Sequence, residues 1–169
     1  KDVQELALSL KKRKKTSYPF TTLVVFDSPH LQKISSEIWS EQYVNIQTEK
    51  KFLHPKNKKI RIGYFSADFR DHATSHLISQ IFELHDKTKF ELYGFYLGRK
   101  IKTKDIWHER VKNSLNEFIE VEKMTDLEIS NLSRSKRIDI AIDLMAHCGN
   151  GMENRFGAFV LGCAPLQIN

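Results

Sequence analysis

The chain has 169 residues, 40% apolar and 28% charged, a balance that suits a globular body with a real core and excludes a chiefly disordered chain. No run approaches the ~20 apolar residues of a membrane-spanning helix, and the apolar part of KDVQELALSLKKRKK is too short and interrupted for an export signal. The net charge of +6 gathers in three blocks, Lys11 to Lys15, Lys50 to Arg61 and Arg99 to Lys104; they flank strands, and the aromatics fall inside apolar runs, so solvated loops are expected and nucleic acid is not expected as a partner.

In chain order, residues 1–18 read as a basic helical tail or linker, with Val3, Leu6, Leu8 and Leu10 fitting a helix only roughly. Residues 19–58 read as a lead-in. Its run Leu23-Val24-Val25-Phe26 is expected as a strand or buried extended segment. A helix follows from Pro29 to Val44, with Leu31, Ile34, Ile38 and Trp39 on its apolar side, Asp27 or Ser28 as its cap and Pro29 at a first helical position. Residues 47–59 are a polar, basic connector.

From residue 59 to 169 strands and helices alternate. Strands are expected at 60–66, 90–97, 118–121 and 138–144. The first helix starts at Thr74 or Ser75, with Leu77, Ile78, Ile81, Phe82 and Leu84 as its apolar positions. A second spans 103–116, with Ile106, Trp107, Val111 and Leu115 inward. A third opens on the capping box of Thr125 and Glu128, and a fourth runs from about Glu153 to Leu161, where Gly162 stops it. The connections are long enough for parallel crossovers, so the expected fold is α/β: a Rossmann-like, open, mostly parallel sheet with helices on both faces. No GxGxxG fingerprint is present.

Ligands of such sheets bind beyond the C-terminal strand ends. Two segments stand there, Ser66 to His76 and Met145 to Gly151. His72 precedes a helix start, where a neutral imidazole can take a proton or donate to a phosphate and the helix amides favour anions. Asp68 and Asp71 flank Arg70; Asp68 suits a strand-end cap or an acceptor of loop amides. Asp143 inside IDIAIDLM demands partners if buried. Arg155, on the helix after the second loop, suits a phosphate, a carboxylate or a surface ion pair. His72, His76 and His147 suggest a metal set only weakly, because the HxxxH spacing lacks the adjacent Glu of zinc sites. Cys148 and Cys163 are expected as free thiols, and Cys148 beside His147 is a poor nucleophile pair because neighbours at a strand end point apart.

These residues carry a resemblance. KIRIGYFSADFRDHATSHL (59–77), HDKTKFELYGFYLG (85–98), RIDIAIDLMAH (137–147) and CAPLQIN (163–169), with PFTTLVVFDSPHLQK (19–33) ahead of them, resemble in order the catalytic region of the O-linked N-acetylglucosamine transferases, bacterial type. The resemblance implies the first Rossmann-like half of a two-domain GT-B glycosyltransferase, preceded by tetratricopeptide repeats and truncated before the half that supplies most UDP contacts. It implies a UDP-sugar donor, UDP-N-acetylglucosamine, transfer with inversion to Ser or Thr hydroxyls of a protein acceptor, no metal or other cofactor, and the bacterial cytoplasm as location. His72 and His147 match its active-site histidines. Asp68, Arg70, Thr74, Asn150, Arg155 and Gln167 are the donor or acceptor contacts it suggests.

The chain departs from the family pattern at the second loop, where Gly-His-Thr becomes Ala146-His147-Cys148 and Arg-Pro-Ala-Pro becomes Gly162-Cys163-Ala164-Pro165. The alternative reading is a catalytically degenerate relative that binds protein or nucleotide-sugar. The chain alone is expected to be inactive.

Overall fold

A computed structural model describes residues 2–44, 53–148 and 154–169. The chain divides into two compact units, Lys1–Gln47 and Thr48–Asn169.

The first unit is helical. The Asp2 side chain accepts the Gln4 amide and opens α1 (Val3–Lys11). Pro19 opens α2 (Pro19–Val25), and Ser28 caps α3 (Pro29–Ser40), which ends in a 3-10 turn over Glu41–Tyr43. The expected strand at Leu23–Phe26 is corrected: its first three residues close α2, and only Phe26 is extended. Four apolar residues in a row carry neither helical nor strand periodicity, and 80% exposure of Val24 shows that no buried strand environment exists there. Thr22, inside α2, lies within bonding distance of the Tyr18 carbonyl (3.1 Å) and the Ser35 hydroxyl (3.0 Å), which fixes α2 on α3. Leu10, Phe26, Leu31 and Ile38 form the small core, so α1 shares one core with the helices after it.

The second unit is a five-stranded sheet in the order β3-β2-β1-β4-β5. Its elements are β1 (Ile60–Ser66), α4 (Ala73–Leu84), β2 (Phe90–Tyr96), α5 (Ile106–Ser114), β3 (Glu117–Glu120), α6 (Asp126–Ser135), β4 (Ile140–Asp143), α7 (Phe156–Leu161) and β5 (Leu166–Ile168). Every strand pair is parallel. The two faces carry separate cores. Ile62, Tyr64, Leu92 and Tyr96 pack with Phe82 of α4 and Val111 of α5. Phe65, Tyr93, Phe95 and Ala141 pack with Ile129 of α6 and with Ala158 and Phe159 of α7. Alternation along β1 and β2 thus serves helices on both sides, as the sequence led one to expect.

Two helices present a different face from the one expected. On α4, Leu77, Ile81 and Leu84 are exposed, while Ser75, Ser79 and Phe82 are buried. The serines point inward because their hydroxyls are satisfied locally, Ser75 by the Asp68 carbonyl (2.7 Å) and Ser79 by the Ser75 carbonyl (2.5 Å), and their small size lets the helix approach the sheet. On α5, Ile106 is exposed and His108 is buried. The fourth helix begins at Phe156 rather than near Glu153, with Asn154 Oδ1 accepting the Phe156 amide (2.9 Å). Asn150 and Gly151 lie outside the described residues. The short β5 is an addition to the four expected strands.

The order reverses between β1, which leads to β2 and β3, and β4, which leads to β5. In open α/β sheets ligands bind at such a switch point, beyond the C-terminal strand ends, and here α4 and α7 pack on opposite faces of the sheet beside it. The loops carrying His72 and His147 both start there.

Candidate functional site

The loop after β1 is a stapled turn. The Ser66 hydroxyl accepts the Asp68 amide (3.0 Å), Ser75 holds the Asp68 carbonyl, and buried His108 of α5 binds the Phe69 carbonyl through Nδ1 (2.7 Å). Asp105 caps α5 through Oδ1 and accepts the Asp71 amide through Oδ2 (2.8 Å). Gly98, just past β2, permits the close passage behind the loop, since a Cβ there would stand 2.5 Å from the Ala67 carbonyl oxygen.

His72 is the N-cap residue of α4, with extended backbone, and its Nδ1 accepts the Thr74 amide (3.2 Å). A backbone N–H only donates, so Nδ1 carries the lone pair and the neutral ring carries its proton on Nε2. The Thr74 hydroxyl lies 3.1 Å from the same Nδ1. Asp68 Oδ2 lies 3.5 Å from it, and Asp68 Oδ1 accepts from Arg70 (3.0 Å). Four of the expected site residues, Asp68, Arg70, His72 and Thr74, are therefore brought together. The Asp68 carboxylate is nearly buried, whereas the His72 and Arg70 side chains are 40% and 42% exposed and reachable by a ligand. His76 points elsewhere, to Asp71 (2.7 Å) and the ring of Trp107.

The loop after β4 is built on a buried carboxylate. Asp143 Oδ1 accepts the amides of Met145 (2.8 Å) and Ala146 (3.1 Å). Burial holds the Asp143 carboxyl above its ordinary pKa, against the pull of those amides and of His147. Burial likewise pushes the His147 imidazole down, with Asp143 opposing, and its ring stacks on Phe156. Ala146 has φ +45°, a left-handed conformation that glycine adopts freely and alanine does not. The Asn154 side chain holds the Ala146 carbonyl. Burial first, then Asp68 and Asp143, raise the Cys148 thiol, which keeps it protonated and unreactive. The two loops touch through Ser66, whose hydroxyl reaches Met145 Sδ (3.6 Å).

Two expected contacts are engaged elsewhere. Arg155 is the residue capping α7, and its guanidinium binds the Asp126 carboxylate at the start of α6 (3.2 Å) and the carbonyls of Glu122 and Met124 in the loop before it. Gln167 on β5 accepts the Cys163 amide (2.7 Å) and donates to the Phe159 carbonyl (2.9 Å). Both carboxamide ends thus close the turn between α7 and β5. Sequence reading missed Ser66, Asp105 and His108 as supports. An Asp before a helix is a local signal, but the reach of His108 to Phe69 spans 39 positions and leaves none.

The model of the family described as glycosyl transferase family 41 matches residues 28–169. The chain is 30% identical over 112 residues to the probable UDP-N-acetylglucosamine--peptide N-acetylglucosaminyltransferase SEC of Arabidopsis thaliana, covering 66% of this chain and 11% of that protein. It is 26% identical to the UDP-N-acetylglucosamine--peptide N-acetylglucosaminyltransferase of Caenorhabditis elegans, covering 70% of this chain and 10% of that one. Among solved structures, a mutant of the Thermobaculum terrenum O-GlcNAc transferase superimposes with a TM-score of 0.71 at 26% identity, covering 83% of this chain and 26% of its own. The chain thus spans about a tenth of those two curated relatives.

Proposed function

The chain belongs to glycosyl transferase family 41, and on that premise we propose that its protein moves N-acetylglucosamine from UDP-N-acetylglucosamine to Ser or Thr hydroxyls of proteins. Inversion is part of the reading: the acceptor oxygen bonds the anomeric carbon as the bond to the diphosphate oxygen breaks, the hydroxyl proton is released, and UDP departs. Most UDP contacts come, in this reading, from a second catalytic half beyond these residues, so the 169-residue chain by itself is inactive. The same resemblance supports tetratricopeptide repeats ahead of the chain and a bacterial cytoplasmic setting.

The observation that carries the reading is the state of His72 at the switch point. With Nδ1 bound to the Thr74 amide, Nε2–H is a donor that no described residue occupies. A donor placed beside the twelve-residue α4, whose N-terminal field favours anions, suits the charge that builds on the leaving diphosphate. It does not suit a base, since Nε2 has no lone pair in this tautomer. We therefore assign His72 to stabilising and positioning the reacting groups. Arg70 adds a cation beside it, and Asp68 and Thr74 orient the pair. His147, kept neutral by burial, is assigned to the donor side. Arg155 and Gln167 act by holding the elements that frame that side.

The test is transfer of labelled sugar from UDP-N-acetylglucosamine by the full-length protein into lysate of its own cells, beside His72→Ala. The expected result is labelled protein with the intact form and a loss of about 100-fold or more with His72→Ala. Binding of UDP without transfer would replace the reading with a degenerate binding relative. A folded protein that neither binds nor transfers would overturn it.

A further inference from the structure

The basic block before β1 has no part in the site above, and the structure gathers it at the opposite, N-terminal end of the sheet. There Lys56, Lys58, Lys59, Arg61 and Arg137 line a cavity of about 240 Å³ with a single carboxylate, Glu91. Lys50 and Lys51, from the same block, lie outside the described residues.

Among the described residues, three of the five cations are uncommitted. Arg61 is held by Glu91 (2.9 Å) and the Lys136 carbonyl (2.8 Å), and Lys59 donates to the Lys87 carbonyl (2.7 Å). Among the described residues nothing engages the charged groups of Lys56, Lys58 or Arg137. The adjacent carboxylate, Asp139, is occupied: Oδ2 accepts Asn57 Nδ2 and the Arg61 amide at 2.8 Å, and Oδ1 faces His54 at 3.5 Å. Asn57 also donates to the Arg137 carbonyl (2.8 Å), which ties the lysine loop to the turn between α6 and β4. The cavity walls are thus anchored main chain.

The backbone of Arg137 is a second, independent observation. The helix α6 ends in a Schellman motif, with the Arg137 amide on the Arg134 carbonyl (2.9 Å) and the Ile138 amide on the Ser133 carbonyl (3.3 Å). The position after the cap is left-handed, φ +53°, and is ordinarily glycine. Here it carries the longest cationic side chain available, against local preference, beside a cavity that already lacks counter-charge. The conformation sets Arg137 in the wall of the cavity.

We propose that this cavity is an oxyanion site, taking a phosphate or the phosphoryl end of a small ligand between Lys56, Lys58 and Arg137. The chemistry follows from the donors: two ammonium groups and a planar guanidinium fork match the oxygens of a tetrahedral anion. The volume lies below the roughly 300–1,000 Å³ of whole-ligand pockets, so a phosphate or diphosphate fits and a nucleotide-sugar does not. No aromatic side chain lines the cavity, which disfavours stacked single-stranded nucleic acid.

The experiment titrates the full-length protein with inorganic phosphate at low ionic strength, by calorimetry and by amide chemical shifts, and repeats it with UMP to separate free from ligand-borne phosphate. Saturable binding with shifts at 56–61 and 137 is expected. Arg137→Gly should keep or raise thermal stability, since glycine enters the left-handed position freely, yet weaken phosphate by about three- to tenfold. Lys58→Gln should weaken it similarly, read from the shifts at 56–61 and 137. Unaltered affinity in Arg137→Gly and Lys58→Gln, phosphate-induced shifts confined to the switch point and absent at 56–61 and 137, or no saturation by phosphate while anionic vesicles or RNA bind, would each overturn the proposal.

Discussion

The loop after β1 and the loop after β4 leave neighbouring strands at the same end of one sheet, and their physics differs. In the first, neutral hydrogen bonds from Ser66, Ser75 and His108 and the part-exposed carboxylate of Asp105 hold the main chain, and His72 caps a helix in ordinary extended backbone. In the second, a buried carboxylate holds two amides, a half-buried imidazole resists protonation, and Ala146 sits in left-handed backbone. In the proposed function, the relaxed loop presents a donor that needs no reorganisation when charge arrives. The strained loop supplies a wall, and its conformation depends on one acid.

That contrast can be broken first at Asp143. Asp143→Ala leaves the Met145 and Ala146 amides without their acceptor, and a loss of about 1–3 kcal/mol in denaturant-derived stability is expected. Asp143→Asn keeps an acceptor while removing the buried charge and is expected to lose less. Equal stability of Asp143→Ala and the parent would mean that the carboxylate does not hold the loop.

Ala146→Gly sharpens the contrast by relieving the strained loop alone. A left-handed alanine costs about 1–2 kcal/mol, and the freer unfolded chain of the glycine form returns part of it, so a gain of up to about 1 kcal/mol is expected. A drop in melting temperature would show that the Ala146 methyl packs favourably enough to outweigh its backbone.

The smallest effect is in pH. Burial holds His147, and also His85, below the ordinary histidine value, so the unfolded chain takes up protons first as pH falls. Their contribution is therefore whole above about pH 6.5 and declines below it, toward the depressed folded-state values. Asp143 acts oppositely: its raised value stabilises the folded form as pH falls toward the carboxylate range. Melting temperature followed from pH 7 to 5.5 should fall less steeply in His147→Gln than in the parent. Identical slopes would remove His147 from the account.

Much of the second unit was legible because its strands are bounded by clear turn signals and its crossovers are long. The Thr125–Glu128 box and the Ser28 cap were readable because caps are local chemistry. The His72 loop was readable as the polar segment after a strong strand. What failed is non-local. Four apolar residues could not distinguish α2 from a strand, and serines turned inward on α4, their hydroxyls taken by the nearby Asp68 and Ser75 carbonyls, because the face set against the sheet is chosen by packing between distant elements. Arg155 and Gln167 have the right chemistry for a ligand, but main-chain carbonyls and amides from other elements engage them. The left-handed angle at Ala146 coincides with the position where the family resemblance has glycine, so that departure was visible in sequence and its strain was not.

The central claim is that His72 meets the reaction as an Nε2–H donor with Nδ1 bound to the start of α4. The direct measurement is the nitrogen-15 spectrum of the His72 ring in the full-length protein at neutral pH, assigned by comparison with His72→Ala. The account requires a protonated, pyrrole-type Nε2 and an unprotonated Nδ1. The opposite tautomer, with the proton on Nδ1 toward Asp68 and a free lone pair on Nε2, would contradict it and return His72 to the role of base.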